Sequence, residues 1–341
     1  MKITRSLLLL ATCGLMACSE ARTVLTVYSP HGEGQLVLFE ERFEAAHPGV
    51  DVQWVDMGSQ EALDRIRSER ANPQGDVWYG GPALFFSRAA GEGLLEPYRP
   101  DWADKVVPEA RGAGDLYYGA YLTPAVIAYN SEAVSRDEVP RDWDGILDSR
   151  WSQQVLIRDP IASGTMRTIF GMIMYRGLEA SGDTATGYDW LRRLDAQTKE
   201  YVLNPAILYQ KLARQEGVIT LWNLPDVLRA KDKGFPLDYI LPASGTPILV
   251  DGIAVIKGAK QPELAAEFVD YVGSVEGQLV AARLAFRNLT RTDIPADSLP
   301  AWLVEVNSQL KAMDLDWALL EERGREWIRY WDNHIRGAGH R

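Results

Sequence analysis

The sequence predicts an α/β protein in which two lobes enclose a cleft, and three observations lead to this prediction. Short apolar strands alternate with amphipathic helices over residues 24–82, and the alternation resumes over residues 155–230. An extended segment, residues 117–130, follows the first series, and a nine-residue strand, residues 248–256, follows the second, so these two segments are expected to join two lobes. Helical patterns fill the chain after the second crossing.

The first alternating series predicts where a ligand would bind. Strands are expected at residues 24–28 (VLTVY), 50–55 and 77–79, with helices between them. In a parallel sheet covered by helices, ligands bind beyond the carboxyl ends of the strands. The candidate ligand contacts at these ends are Ser29, His31, Tyr79 and Gly80. His31 could donate a hydrogen bond to a ligand oxygen, or it could be an ordinary loop histidine.

The second series contains the stretch 158–176 (RDPIASGTMRTIFGMIMYR), which predicts a strand end, a turn and a helix of about 11 residues starting near Thr165. Ser163 is the expected N-cap. The N–H groups of Gly164 and the next two residues, with the positive end of the helix dipole, can face one small anion. Arg167 would add a full charge, and Gly164 is expected to be exposed in the open cleft. The alternative is a Ser-capped helix that binds nothing.

Two further candidate sites lie at apolar strands, one just after a strand and one within a strand. Trp222 and Asn223 follow an expected strand at 218–221, where the indole could stack on a sugar or base and the amide could hold a hydroxyl. The alternative is a core tryptophan. Asp251 lies within the apolar run 248–256, where a carboxylate is costly to bury without a partner. It could meet a ligand amine or hydroxyl, or an internal arginine.

The first 18 residues predict export. Lys2 and Arg5 precede a short apolar run that ends in Ala17 and Cys18, which is typical of a lipoprotein signal with lipid attached at Cys18. The alternative is a plain secretory peptide cleaved slightly later. Cys13 would leave with the signal, so we expect no thiol for catalysis, metal binding or disulfides. The mature protein is expected outside the cytoplasm, in the periplasm or an equivalent space, anchored to a membrane.

The charge balance restricts the partners. The formal net charge is −11, and it becomes more negative when Lys2 and Arg5 are removed. An acidic surface argues against nucleic acid and against electrostatic membrane binding. The acidic surface is compatible with a small anionic ligand, since local N–H groups can bind a phosphate whatever the net charge of the protein. We expect a monomer.

Enzymatic motifs are absent from the sequence. It contains no GxSxG, HExxH or P-loop pattern, and no two histidines have the i, i+3 or i+4 spacing of a metal site. We therefore expect no catalytic residue, no metal site and no cofactor. An exported hydrolase on the same fold stays the alternative from a different functional class.

Five segments in order resemble the bacterial extracellular solute-binding proteins of ABC importers, in the group that includes ferric-ion, thiamine, phosphonate and sugar-phosphate binders. The segments are VYSPHGEGQLVLFEERFEAAHPGVDVQW, DVWYGGPALFFSRAAGEGLLEPY, ASGTMRTIF, VDGIAVIKGAKQPELAAEFVDYV and LDWALLEERGREWIRYW. The resemblance covers nearly all of the mature chain. It implies a type II periplasmic-binding-protein fold, in which ligand closes two lobes about a two-strand hinge and the closed form docks on the permease.

The resemblance also implies lobe boundaries. Lobe one would comprise residues 22–125 plus 251–341, and lobe two residues 126–250. The charged C-terminal helix is expected to be a solvated face that packs its tryptophans, Trp317, Trp327 and Trp331, onto lobe one.

The resemblance finally bears on the ligand. Ferric binders of this group carry two adjacent tyrosines after a strand of the second lobe, where this chain has Leu224 and Pro225. This chain has two adjacent tyrosines at 117–118, but they lie before the hinge and therefore not at the position of the ferric-binding pair. Ser163 to Thr165 instead resemble the phosphate cradle of the organophosphate binders. The predicted ligand is a small phosphorylated or phosphonate-bearing organic anion, with ferric ion as the alternative.

Overall fold

The computed structural model describes residues 22–338, so the predicted signal peptide and Cys18 lie outside the described residues. The strands are β1 (Thr23–Ser29), β2 (Val50–Asp56), β3 (Val77–Pro82), β4 (Leu95–Glu96), β5 (Tyr118–Asn130), β6 (Val155–Arg158), β7 (Thr198–Val202), β8 (Ile219–Asn223), β9 (Leu237–Ile240), β10 (Ile248–Ile256) and β11 (Asn288–Leu289). The α-helices are α1 (Glu33–Ala46), α2 (Ser59–Ser68), α3 (Ala83–Gly91), α4 (Gly164–Ser181), α5 (Ala185–Gln197), α6 (Pro205–Ala213), α7 (Leu224–Asp232), α8 (Pro262–Gly273), α9 (Val275–Leu284), α10 (Ala301–Gln309) and α11 (Trp317–His334).

The strands form a mixed sheet in the order β2-β1-β3-β10-β5-β8-β6-β7. β1 is parallel to β2 and β3, and β6 is parallel to β7 and β8. β5 and β10 are antiparallel to each other and lie between the two parallel groups. We call the half with β1–β4, β10 and β11 the first lobe, and the half with β6–β9 the second lobe.

The two predicted crossing strands are confirmed as long strands at the centre of the sheet. The first part of β5 pairs with β10, and its last residues, from Ala125 to Asn130, pair with β8 and β9 in the second lobe. β10 has the predicted bounds. One continuous 13-residue strand therefore belongs to both lobes. The boundaries 22–125 plus 251–341 and 126–250 stay a prediction.

Helices cover both faces of the first lobe, as expected for an alternating α/β series. The apolar residues of α1 and α8, such as Phe39 and Phe268, form one buried cluster with Tyr79. On the opposite face, the α2 and α3 side chains pack around Trp78 and Phe86, whose rings stack at 4.0 Å.

The C-terminal helix packs onto the second lobe, so the expected packing of its tryptophans onto the first lobe is wrong. Trp327 and Trp331 are buried in the second-lobe cluster, and the Trp331 ring lies 5.3 Å from Phe170 and 5.0 Å from Tyr201. Trp317 remains 38% exposed. The C-terminal helix packs there because the long α4 presents an apolar surface that α11 contacts. Within residues 22–338, no helix is both long and apolar enough to cross a bilayer.

Candidate functional site

A cavity of about 750 Å³ lies between the two lobes. The turns after β1, β2 and β3 border it on one side, and the turns after β6, β7 and β8 border it on the other. The carboxyl ends of both parallel groups therefore face one space, which is where α/β sheets bind ligands. Of the predicted contacts, the cavity is lined by His31, Ser163, Gly164, Thr165, Trp222, Asn223 and Asp251.

Six of the described helices begin at this cavity, and their N-cap residues are Gly32 (α1), Gly58 (α2), Pro82 (α3), Ser163 (α4), Asn204 (α6) and Asn223 (α7). The two glycine caps have no side chain to bind the first N–H groups of α1 and α2. Because helix N-termini carry partial positive charge, their convergence makes the cavity favourable for an anion.

The predicted N-cap at Ser163 is confirmed. The Ser163 hydroxyl oxygen accepts a hydrogen bond from the Met166 N–H at 3.2 Å, so this N–H is not free as expected. The described residues provide no acceptor for the N–H groups of Gly164 and Thr165. The helix starts at Gly164 and runs for 18 residues, longer than its sequence pattern predicted. Two N–H groups thus stay available to a ligand.

Arg158 supplies the charge at this turn, and the sequence analysis did not single it out. It ends β6, lines the cavity and is only 9% exposed. No carboxylate of residues 22–338 lies within 4.0 Å of its guanidinium, whose Nη1 donates to the Val202 carbonyl at 3.3 Å. Burial lowers the pKa of Arg158, and the charge of the adjacent Asp159 opposes this effect. The available signal was a charge that directly follows the buried apolar residues VLI.

Arg167 does not line the cavity, so the prediction that it adds charge there is wrong. Its Nε donates to the Pro160 carbonyl at 3.2 Å, and its Nη1 donates to the Gln60 side chain of the first lobe at 2.8 Å. The helix rotation directs the side chain to the edge of the cleft. Arg167 therefore bridges the lobes.

Gly164 is buried between the lobes, which overturns the expectation that it is exposed in an open cleft. A Cβ atom there would lie 2.9 Å from Pro82 Cδ and 3.2 Å from Phe85 Cε2, both in the first lobe. Next to it, a Cβ on Gly58 would lie 3.1 Å from the Ala162 carbonyl oxygen. The lobes are in contact at this edge because glycine leaves room for both backbones.

The floor of the cavity contains a buried network around Arg287, a second residue that the sequence analysis missed. Its Nη1 lies 3.2 Å from Asp251 Oδ2, which also accepts the Thr123 hydroxyl at 2.6 Å. Its Nε donates to Gln35 Oε1 at 2.9 Å. Of the two alternatives for Asp251, the structure therefore provides the internal arginine. Burial raises the pKa of Asp251, and Arg287 opposes the rise.

His31 is part of the same network. Its Nδ1 lies 2.9 Å from Arg287 Nη2 and must accept that bond, since guanidinium only donates. Its Nε2 is buried without a partner among the described residues and faces Gly80. Burial and the charges of Arg287 and Arg229 lower the pKa of His31 well below its usual value. A neutral His31 orients Arg287, and its donation to a ligand remains a prediction.

Three predicted contacts lie behind the cavity wall. Gly80 has a φ of 98° and leaves space for the His31 ring. The Ser29 hydroxyl oxygen accepts the His31 N–H at 3.2 Å. The Tyr79 hydroxyl lies 2.6 Å from that of Tyr121 in the core. The prediction that Ser29, Tyr79 and Gly80 reach the cleft is wrong, because the Ser29 and Tyr79 side chains are bonded inside the first lobe and the His31 ring covers Gly80.

Trp222 and Asn223 line the cavity with their polar atoms already engaged. The Trp222 Nε1 donates to the Tyr209 hydroxyl at 2.8 Å. The Asn223 Oδ1 caps α7 by accepting the Asp226 N–H at 2.9 Å, and its Nδ2 donates to Asp226 Oδ2 at 3.0 Å. Burial favours protonation of Asp226, but Arg229 and Arg287 outweigh it and lower the pKa. Trp222 is only 4% exposed and belongs to the second-lobe core, which favours the core-tryptophan alternative even though the residue borders the cavity.

The tyrosines at 117–118 do not line the cavity, and Leu224 and Pro225 are buried at the start of α7. Within the described part of the chain, no group of three or more His, Cys, Asp or Glu side chains could hold a metal ion.

Comparison with known families decides what kind of protein has this cleft. Residues 34–279 match the model of the bacterial extracellular solute-binding protein family. The chain belongs to this family. Its members are transport proteins that deliver solute to the permease of an ABC importer, and they are not enzymes. The resemblance and the type II periplasmic-binding-protein fold expected from the sequence are confirmed.

Relatives of this solute-binding protein differ in ligand. A Salmonella typhimurium protein, provisionally named for 2-aminoethylphosphonate binding, is 26% identical over 87% of this chain and 88% of its own length. AfuA from Actinobacillus pleuropneumoniae, with fructose-6-phosphate bound, is 26% identical, covers 93% of this chain and 99% of its own, and superposes with a TM-score of 0.80. Iron-bound HitA from Pseudomonas aeruginosa shares the fold. It is 23% identical, the match covers 90% of this chain and 98% of the HitA chain, and the TM-score is 0.74.

Proposed function

We propose that this solute-binding protein captures a small phosphorylated or phosphonate-bearing organic anion. The observation that carries the proposal is Arg158. A guanidinium that is 9% exposed and has no carboxylate within 4.0 Å among residues 22–338 is costly to hold in an empty cleft. A bound anion would remove that cost.

The α4 N-terminus supports the same ligand. Arg158 and the free N–H groups of Gly164 and Thr165 border the same cavity. A phosphate or phosphonate oxygen at this turn would accept both N–H groups and also interact with the helix dipole.

The cavity supports an organic ligand over free phosphate. Its volume of about 750 Å³ exceeds what one phosphate group fills, and the wall includes the Trp222 indole. The relatives named for 2-aminoethylphosphonate and bound to fructose-6-phosphate point to the same class. Ferric binding is disfavoured by Leu224 and Pro225 at the position of the tyrosine pair.

Thermal unfolding with inorganic phosphate, 2-aminoethylphosphonate, fructose 6-phosphate and ferric citrate tests the proposal. A true ligand at 100 times its Kd should add about 2.7 kcal/mol to the free energy of unfolding. Stoichiometric calorimetric binding of an organophosphate without release of phosphate is the expected result. A shift by ferric citrate alone would favour iron, and steady phosphate release would favour a hydrolase.

The anchor is part of the proposal. Residues 1–18 have the pattern of a lipoprotein signal, so we infer that lipid on Cys18 holds the mature protein at a membrane. A Cys18→Ser variant should then move to the soluble fraction, and an unchanged membrane fraction would contradict this inference.

A further inference from the structure

The turn between β6 and α4 is built on the side chain of Asp159. This residue follows Arg158 and is only 2% exposed. Its Oδ1 accepts the Ile161 N–H at 2.7 Å, and its backbone carbonyl accepts the Ser163 N–H at 3.1 Å. Both bonds shape the turn that ends at the N-cap of α4. The position of the Gly164 and Thr165 N–H groups therefore depends on Asp159.

The carboxylate of Asp159 is held by the chain's C-terminal segment. Its Oδ2 accepts a hydrogen bond from Arg336 Nη2 at 2.6 Å. Among residues 22–338, Arg336 is its one ion-pair partner. This contact joins positions 177 residues apart in sequence.

Arg336 is itself fixed in place. Its Nη1 donates to Asp332 Oδ1 at 3.0 Å, and its guanidinium carbon lies 5.4 Å from the Tyr201 ring and 5.6 Å from the Trp331 ring. The next residue, Gly337, donates its N–H to Asp195 Oδ1 at 2.9 Å. Arg336 does not line the cavity. Any effect it has on a ligand must pass through Asp159.

We propose that Arg336 is a positioning residue for the anion-binding turn, so that the segment after α11 belongs to the ligand site. This inference rests on the proposed function for its effect on binding. Without Arg336, the buried Asp159 carboxylate loses the one ion-pair partner it has within 4.0 Å among residues 22–338, and we expect it to rotate, take up a proton or admit water. Each outcome weakens the Ile161 bond and loosens the turn before α4.

Amide hydrogen exchange on the unliganded protein tests whether Arg336 holds the turn before α4 in place. Arg336→Gln should raise exchange at the Ile161, Ser163 and Met166 amides by about tenfold or more, since opening of the turn exposes them. The matched control is Arg323→Gln on α11. Arg323 also pairs with a carboxylate, Glu326 at 2.8 Å, and its guanidinium lies 5.8 Å from the Trp327 ring. The control should leave these amides unchanged.

Calorimetry with fructose 6-phosphate and 2-aminoethylphosphonate tests the effect on binding. Arg336→Gln and Asp159→Asn should each weaken the probe that binds by about tenfold, and the double variant should be no weaker than either one, because both act through one contact. Arg336→Lys, which keeps the charge, should recover part of the loss.

The two proposals fail in different ways. If neither probe binds the unsubstituted protein, the proposed function fails while the exchange result still decides the role of Arg336. If Arg336→Gln lowers the Tm but leaves exchange at residues 161–166 unchanged, Arg336 only secures the C-terminus and the inference is wrong. If Arg336→Gln speeds exchange at these amides but leaves the affinity for the probe unchanged, Arg336 does not belong to the ligand site and the inference is equally wrong.

Discussion

Arg158 and Arg287 are both buried arginines that line the same cavity, yet their surroundings differ. Arg287 has Asp251 at 3.2 Å and further bonds to Gln35, Thr123 and His31. Arg158 has a single backbone carbonyl at 3.3 Å. Arg287 has a carboxylate at ion-pair distance, whereas Arg158 has only the longer-range effect of the adjacent Asp159, whose own ion-pair partner is Arg336. We propose that a ligand supplies the close partner that Arg158 lacks among residues 22–338.

This difference separates a residue that stabilises the fold from one that we propose recognises a ligand. The Arg287 network ties β5, β10 and the turn after β1 together, so it supports the crossing strands. Arg158 stands beside the open N–H groups of α4. Burial alone does not distinguish the two roles, whereas the presence of a counter-charge does.

The largest expected effect is on stability. Arg287→Gln leaves the Asp251 carboxylate buried and unpaired, so the free energy of unfolding should fall by about 3–5 kcal/mol. Urea denaturation followed by circular dichroism measures it. Arg158→Gln is the matched control and should change stability little, since no carboxylate loses its partner. Equal losses of unfolding free energy in both variants would contradict the proposed difference between Arg287 and Arg158.

The next effect is on affinity. Arg158→Gln removes a charged donor from the proposed anion site and should weaken organophosphate binding by about 10- to 100-fold, equivalent to about 1.5–3 kcal/mol. Calorimetry on the folded variant measures this change. Arg150→Gln is the control, because Arg150 pairs with Asp148 at 3.9 Å away from the cavity lining. Unchanged affinity in Arg158→Gln would contradict the proposed function.

The smallest effect is a dependence on pH at His31. The folded pKa of His31 lies well below 6.5, so below about pH 6.5 the unfolded chain takes up a proton that the folded state excludes. Above that pH, the neutral His31 makes its full contribution to the free energy of unfolding. As the pH decreases below about 6.5, the free energy of unfolding should fall by up to about 1.4 kcal/mol per pH unit.

Denaturation at pH 7 and pH 5.5 checks this dependence. His31→Gln should lose part of the acid destabilisation while keeping an acceptor for Arg287. The wild-type protein measured at both pH values is the reference. The same profile in His31→Gln would mean that His31 does not titrate across this range.

Much of the local structure at the site could be predicted from the sequence. A nine-residue apolar run predicted the strand β10 with its observed bounds, and the Ser-Gly-Thr pattern predicted the N-cap at Ser163. Both signals are short-range, because capping and strand periodicity involve residues only a few positions apart. The cap of α4 was therefore accessible without a structure, whereas Arg158 and the engagement of the Met166 N–H were not.

The orientation of side chains at strand ends was less accessible. Tyr79 and Ser29 stand at the expected edge of the sheet but point into the first lobe, and Arg167 stands on the expected helix but reaches Gln60 across the cleft. Sequence patterns place a residue on an element, whereas packing decides which neighbour its side chain meets.

The sequence alone determined the fold class, the crossing strands and the cap of α4. Only the tertiary structure decided which charges have partners. Arg287 meets His31 across 256 positions, and Asp159 meets Arg336 across 177 positions, while Arg158 meets no carboxylate within the described residues. The physical reason is that the cost of a buried charge depends on the groups folding brings within a few ångströms of it, and these groups come from distant parts of the chain.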